Sequence, residues 1–190
     1  KKNFFTWLRN SSIVTLAVSL LGVSLASTAG YAFSRFRFRG KKAGMVAVLV
    51  TQMFPATMLL LPLYVIMKKL ALVDTLFGLI ISYTATALPF CIWMMKGYYD
   101  PIPVDLEEAA MIDGTTPVGA FARVTLPLAA PALVITALFS FITGWSEFIV
   151  ARVLINTSDL YTLPLGLESL SSTFQTEWAN YAAGSILVSI

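Results

Sequence analysis

The side chains able to do chemistry are few and unevenly placed. Five of the ten acidic residues, Asp100, Asp105, Glu107, Glu108 and Asp113, crowd into residues 100–113. Five basic residues, Arg35, Arg37, Arg39, Lys41 and Lys42, crowd into 35–42. There is no His, and Cys91 is the single cysteine. This inventory excludes a disulfide within the chain, a Cys/His zinc site and a His-based triad. The nearest approach to a phosphate-cradling loop, Gly40-Lys41-Lys42, lacks both the upstream Gly and the hydroxyl residue. The chain is therefore expected to be no enzyme and to bind no cofactor or metal. Any ATP and Mg²⁺ belong to a partner. The chemistry left to the two clusters is recognition by charge.

The acidic cluster reads as a short helix. Pro103 suits a first helical position, and Asp105, Glu107 and Glu108 follow near the positive end of the dipole. Gly114 is a natural stop, and Thr116-Pro117 restarts a helix with Thr116 as its cap. Leu106, Ala109, Ala110 and Asp113 share one face at three- and four-residue spacing. Two adjacent alanines among acids make a slim, charged knob. Such a knob fits a partner's groove or lies as a solvated amphipathic helix on a membrane.

The elements that carry this knob are apolar. Hydrophobic residues make up 57% of the 190 residues and charged ones 12%, against about 25% charged in soluble domains. Mean hydropathy is +0.79. A soluble globular domain and a disordered chain are both excluded. A helix needs about 20 apolar residues to cross the hydrocarbon core. Runs of that kind fall at about 11–34, 43–67, 75–98 and 124–150, and a shorter one at 178–190. They are continuously apolar and too long for alternating barrel strands. The expected class is an all-α, polytopic integral-membrane bundle. It forms one transmembrane domain over 1–190, with four complete spans and one truncated. With no initiator Met and a last residue inside an apolar run, the sequence reads as a fragment.

Basic loops stay cytoplasmic, so the 35–42 turn sets the orientation. The acidic loop, 100–123, is then cytoplasmic and 152–177 external. Phe36 and Phe38 between the arginines suit a membrane-surface anchor; the net charge of +3 and the adjoining spans argue against nucleic acid. Gly22, Ala26 and Gly30 place small residues every fourth position for close helix approach, and Gly78, Ser82 and Thr86 repeat the pattern. Pro55, Pro62 and Pro89 each predict a kink.

Four residues are candidates for a solute pathway. Glu147 is an acid close to a span's end, costly in a membrane unless functional or solvated. Trp145 has a broad face for stacking and the character of an interfacial anchor. Gln52 and Tyr83, like Asn156 and Tyr161, can hydrogen-bond a solute or a neighbouring helix. The 156–177 segment is too long for a simple turn.

The signature of this loop resembles that of ABC importer permeases: Glu-Ala-Ala, three residues, Gly, nine residues, an aliphatic, one residue, Leu-Pro. Glu108-Ala109-Ala110, Gly114, Val124 and Leu126-Pro127 match at those spacings. Ala-Ala-x-x-Asp-Gly with Phe121 and Pro131 resembles the carbohydrate-uptake branch. So do Tyr31-Ala32-Phe33-Ser34-Arg35 and Gln52-Met53-Phe54-Pro55. Trp145-Ser146-Glu147-Phe148 resembles the family's Trp-Asn-acid-aromatic motif, with Ser146 where the family has Asn. The resemblance implies a type I importer transmembrane domain in the bacterial cytoplasmic membrane. It implies a second permease subunit, a cytoplasmic ATPase dimer holding ATP and Mg²⁺, an extracytoplasmic solute-binding protein and a sugar, maltose or maltodextrin above others. Glu108, Ala109, Ala110, Asp113 and Gly114 would be its ATPase-docking element.

The rival class, a channel or secondary transporter working without ATP, would need ionisable residues at midplane depth, and the runs hold almost none. The topology is directly measurable. A cysteine placed at Thr115 in a Cys91→Ser background is expected to be shielded from an impermeant thiol reagent outside intact cells. Ready labelling there would invert the assignment.

Overall fold

The structure is a computed structural model that describes residues 4–170, 181–182 and 184–186. The run expected at 178–190 lies largely outside the described residues, as does all of 171–177. Every regular element among the described residues is helical. The order is α1 (Phe4–Arg35), α2 (Lys41–Thr51), α3 (Ala56–Lys69), α4 (Leu76–Tyr99), α5 (Asp105–Ile112) and α6 (Pro117–Ala120). A π-helical turn at Phe121–Thr125 follows, then α7 (Leu126–Leu128), α8 (Ala130–Ser146), α9 (Ile149–Leu154), a 3₁₀ turn at Ser158–Leu160 and α10 (Leu163–Ser169).

The expected runs meet different fates. Those at 11–34 and 75–98 are the continuous helices α1 and α4, both long and apolar enough to cross a membrane. The run at 43–67 is broken rather than merely kinked. Gln52 and Met53 donate to carbonyls only three residues back, and Pro55 stands just ahead of α3 with ψ 127°. Proline has no N–H and disfavours helical backbone at the residue before it, so α2 cannot continue through Phe54. Pro62 and Pro89 sit inside α3 and α4 without ending them. In the run at 124–150, α8 is preceded by a 79° bend against 117–128, and the helix stops again before Ile149.

The chain divides into two compact units. The first comprises Lys1–Ser19, Phe54–Thr86 and Phe141–Ile190. Val14, Val18, Leu79, Tyr83, Leu154 and Ile155 lie at its centre. Gly144 of α8 sits against Thr15 of α1, where an added Cβ would come 3.0 Å from the Thr15 Cα. Polar bonds fix the segment that the sequence left open. Buried Asn10 donates to the carbonyls of Asp159 and Tyr161, and Ser11 Oγ accepts from the Leu163 N–H. Asp74, at φ +60°, accepts from the N–H groups of Asn156 and Thr157 and from the Thr157 hydroxyl. These three bonds hold its carboxyl below the usual range.

The second unit comprises Leu20–Met53 and Ala87–Ser140. Ala26, Ala87, Cys91, Met95, Tyr99 and Ala132 centre it. Here the small-residue stripe of α1 does what its spacing suggests. A Cβ on Gly30 would meet the Met95 Cβ at 2.8 Å and the Lys96 backbone N at 3.0 Å, and Ala26 is fully buried. The repeat in α4 does not form a second stripe. Gly78 faces the Leu72 carbonyl of its own preceding turn, Ser82 bonds back to the Gly78 carbonyl, and Thr86 is exposed. Spacing alone cannot tell a helix contact from local back-bonding.

Gly30→Val should therefore destabilise the purified protein by about 1–3 kcal/mol, because a backbone must move to admit it. Gly22→Ala should cost less, since its new methyl meets the Ser140 side chain rather than backbone. Melting of both variants in detergent checks the order; equal losses would contradict it.

Candidate docking site

After α4, Lys96 pairs with Asp100 four residues on, and the Ser34 hydroxyl donates to the same carboxylate. The chain then turns into α5. Pro103 lies two residues ahead of Asp105 rather than at the first helical position. Val104, already helical in φ and ψ, takes that role and accepts from the Glu107 and Glu108 N–H groups. The far end follows expectation. Gly114 has φ +90°; its N–H bonds to the Met111 carbonyl and the Thr115 N–H to the Ala110 carbonyl. This is the Schellman arrangement, which places glycine where an L side chain is strained. Thr116 then caps α6 by accepting from the Gly119 N–H, with Pro117 next in line.

The helix is inverted relative to an ordinary amphipathic one. Its one buried residue is an acid, Glu107, only 4% exposed. The outward surface carries Glu108, Ala109 and Asp113 in the open, Ala110 half-buried, and exposed Leu106, Met111 and Ile112, the last 86% exposed. Val118 on α6 adds to the same apolar exposure. Nothing lies within 4 Å of where a Gly114 Cβ would stand. A side chain there would meet only its own backbone and whatever docks.

Glu107 was missed by sequence reasoning, along with every group that holds it. Arg35 donates from Nε to Glu107 Oε1 at 2.7 Å, Thr125 donates to the same oxygen at 2.8 Å, and the Tyr31 hydroxyl donates to Oε2 at 2.6 Å. The other guanidinium nitrogens of Arg35 donate to the carbonyls of Tyr99 and Ile102 at 3.0 and 2.9 Å. Rings of Tyr31, Tyr99 and Phe121 close around the group, with Tyr31 and Phe121 centroids 4.4 Å apart. Burial pushes the Glu107 carboxyl up. The three hydrogen bonds and the Arg35 charge outweigh it, so it is held below the ordinary carboxylate range. A cleft of about 460 Å³ opens beside the pair, lined by Ser34, Arg37, Lys41, Val104, Met111 and Pro117 among others.

The solute-pathway candidates are only partly brought together. Tyr83 is fully buried in the first unit, its hydroxyl 3.5 Å from the Glu147 carbonyl. The Glu147 carboxylate accepts from the Val150 N–H at 2.8 Å, in the first turn of α9. Trp145 is stacked on Phe141. Gln52 belongs to the second unit, at the exposed end of α2.

Glu107→Ala would leave the Arg35 guanidinium buried without its anion and should cost about 3–5 kcal/mol. The pH dependence follows from the lowered carboxyl. Its stabilisation is complete above about pH 4.5 and is lost as pH falls through the lower folded-state value. Melting in detergent from pH 7 to pH 3 should fall more steeply for the native chain than for Glu107→Gln; parallel curves would refute this.

Residues 19–190 match the family described as binding-protein-dependent transport system inner membrane component. The chain is similar to the diacetylchitobiose uptake system permease protein DasC of Streptomyces coelicolor, 35% identical over 99% of this chain and 68% of that protein. It is also similar to the maltodextrin transport system permease protein MdxG of Bacillus subtilis, 33% identical over 98% of this chain and 68% of that one. Among solved structures, a bacterial ABC transporter involved in import of the acidic polysaccharide alginate matches with a TM-score of 0.85 at 27% identity. That match covers 100% of this chain and 70% of the other.

Proposed function

The chain belongs to the binding-protein-dependent transport system inner membrane component family, and from that premise we propose that its α5 surface is the point where an ATPase drives the transport of a sugar. It is a permease component of an ABC importer with the all-helical fold of that class. The names of the diacetylchitobiose and maltodextrin relatives support a sugar as solute, and of these we propose maltodextrin. In this reading the partners are a second permease, a cytoplasmic ATPase dimer that alone holds ATP and Mg²⁺, and an external solute-binding protein. The chain crosses the bacterial cytoplasmic membrane several times, through α1, α4 and the two bent pairs α2–α3 and 117–128 with α8.

One observation carries the docking role. Glu108 and Ala109 are uncovered and Ala110 half so, while the acid beside them is fixed beneath, so α5 presents a ready-made surface. The alanines admit close approach of a cleft wall, and Glu108 offers a carboxylate to a basic residue there. ATP-driven closure of the ATPase pair would move α5, and with it the end of α1 to which it is bonded and, through Arg35, the end of α4. Glu147, Tyr83, Trp145 and Gln52 remain proposed pathway residues, to be tested by substitution.

Gly114→Val should add about 1–2 kcal/mol of local strain and obstruct the cleft. ATPase recovered with the permease and uptake of radiolabelled maltotriose should both collapse, with membrane abundance unchanged. Normal uptake at normal abundance would remove α5 from the mechanism.

A further inference from the structure

We propose that Glu107 and Arg35 form the strut that passes movement of α5 into the membrane helices, a positioning role distinct from the docking surface itself. The inference rests on the docking reading and adds to it the device that makes docking mechanically useful. α5 is short and has loops on both sides, 100–104 and 113–116. A helix so mounted would swing on its loops when pulled, and the motion would be lost there. It also lacks an apolar anchor, since Leu106, Met111 and Ile112 all face outward. Its one buried side chain is Glu107.

The geometry of that attachment suits transmission. Both carboxylate oxygens are used, by groups from α1 (Tyr31 and Arg35) and from the π-helical turn (Thr125). Arg35 reaches three ways through one planar group: to α5, to the last residue of α4 and to the loop between them. A rigid fork of this kind fixes angles as well as distances, which the single point charge of a lysine does not. Apolar packing lets helices slide past one another; directional bonds to a buried ion pair resist sliding until they break together. The π-helical turn also has a purpose in this account. Its extra residue per turn lies in the stretch that delivers the Thr125 hydroxyl to Glu107, and π-turns recur where function sets the register.

The strut and a purely structural contact differ in what fails. The test uses the whole importer, both permeases with the ATPase and the binding protein, in sealed vesicles with radiolabelled maltotriose. Glu107→Gln preserves shape but removes the charge and turns one acceptor oxygen into a donor; Arg35→Lys preserves charge but not the fork. Each should retain the ATPase within about twofold of the native level while sugar carried per ATP hydrolysed falls about tenfold or more. Tyr31→Phe and Thr125→Val, which delete one hydrogen bond each, should give intermediate losses and serve if the pair variants do not assemble. Unchanged sugar per ATP in these variants would overturn the strut. So would a loss of uptake that merely tracks lost ATPase, since the network would then only fold the surface. Ala109→Cys in a Cys91→Ser background separates the two layers. A cross-link to the ATPase together with normal coupling in Glu107→Gln removes the strut and keeps docking. No cross-link removes docking, and the strut with it.

Discussion

A carboxylate withdrawn from water must find replacements for the hydration it loses, or it takes up a proton or pulls its surroundings open. Glu107 finds three donors and one formal positive charge, and the terms close in favour of the ionised form. Much of the second unit is arranged around that solution. α1 ends where it does with Arg35 at its last turn. α4 ends with its Tyr99 carbonyl turned to the same guanidinium. The turn before α7 is widened into a π-helical ring, and Thr125 on it is fully buried. The rings of Tyr31, Tyr99 and Phe121 pack against one another beside the group. Replacing any one of these would leave the others with an unpaired group, which is why such a network is more exacting than an apolar contact of the same area.

The loop's outer face was legible in the sequence, because local rules govern it. A glycine stop, a Thr-Pro start and alternating small and acidic residues specify α5 and its ends within a few residues. The inner attachment was not legible. Arg35 looked like one of five interchangeable basic residues, and Glu107 like one of two adjacent acids. What distinguishes them is pairing across a separation of 72 residues. Hydrophobic periodicity carries no information about such a pair, and here it misleads, since the one α5 side chain buried is an acid while Leu106, Met111 and Ile112 are exposed. The same limit applies to Asp74, whose partners lie more than 80 residues away.

Proline shows a second limit. Three prolines in apolar runs carry the same local cost, one missing donor and one crowded ring. Pro62 and Pro89 are absorbed within continuous helices, whereas at Pro55 the helix stops. The difference arises before Pro55, where Gln52 and Met53 have already tightened to three-residue turns and no longer propagate the α-helical register. Sequence rules locate the weak points; whether a helix yields at one depends on how its neighbours in the chain are already bonded.

That break has an electrical side. A hydropathy profile reads residues 43–67 as one uncharged stretch, and by side chains it is. Yet the α-helical ladder of α2 stops there, its Leu49 and Val50 carbonyls taken by the tightened turns of Gln52 and Met53, and α3 starts a new ladder at Pro55, whose carbonyl accepts from the Met58 N–H. Each end carries a fraction of an elementary charge, negative on the first and positive on the second. The interruption thus seeds partial charges of both signs in the middle of a greasy segment without spending a single ionisable side chain. Polarity of that origin cannot be titrated away by pH, and most side-chain substitutions would leave it in place. It belongs to the course of the main chain.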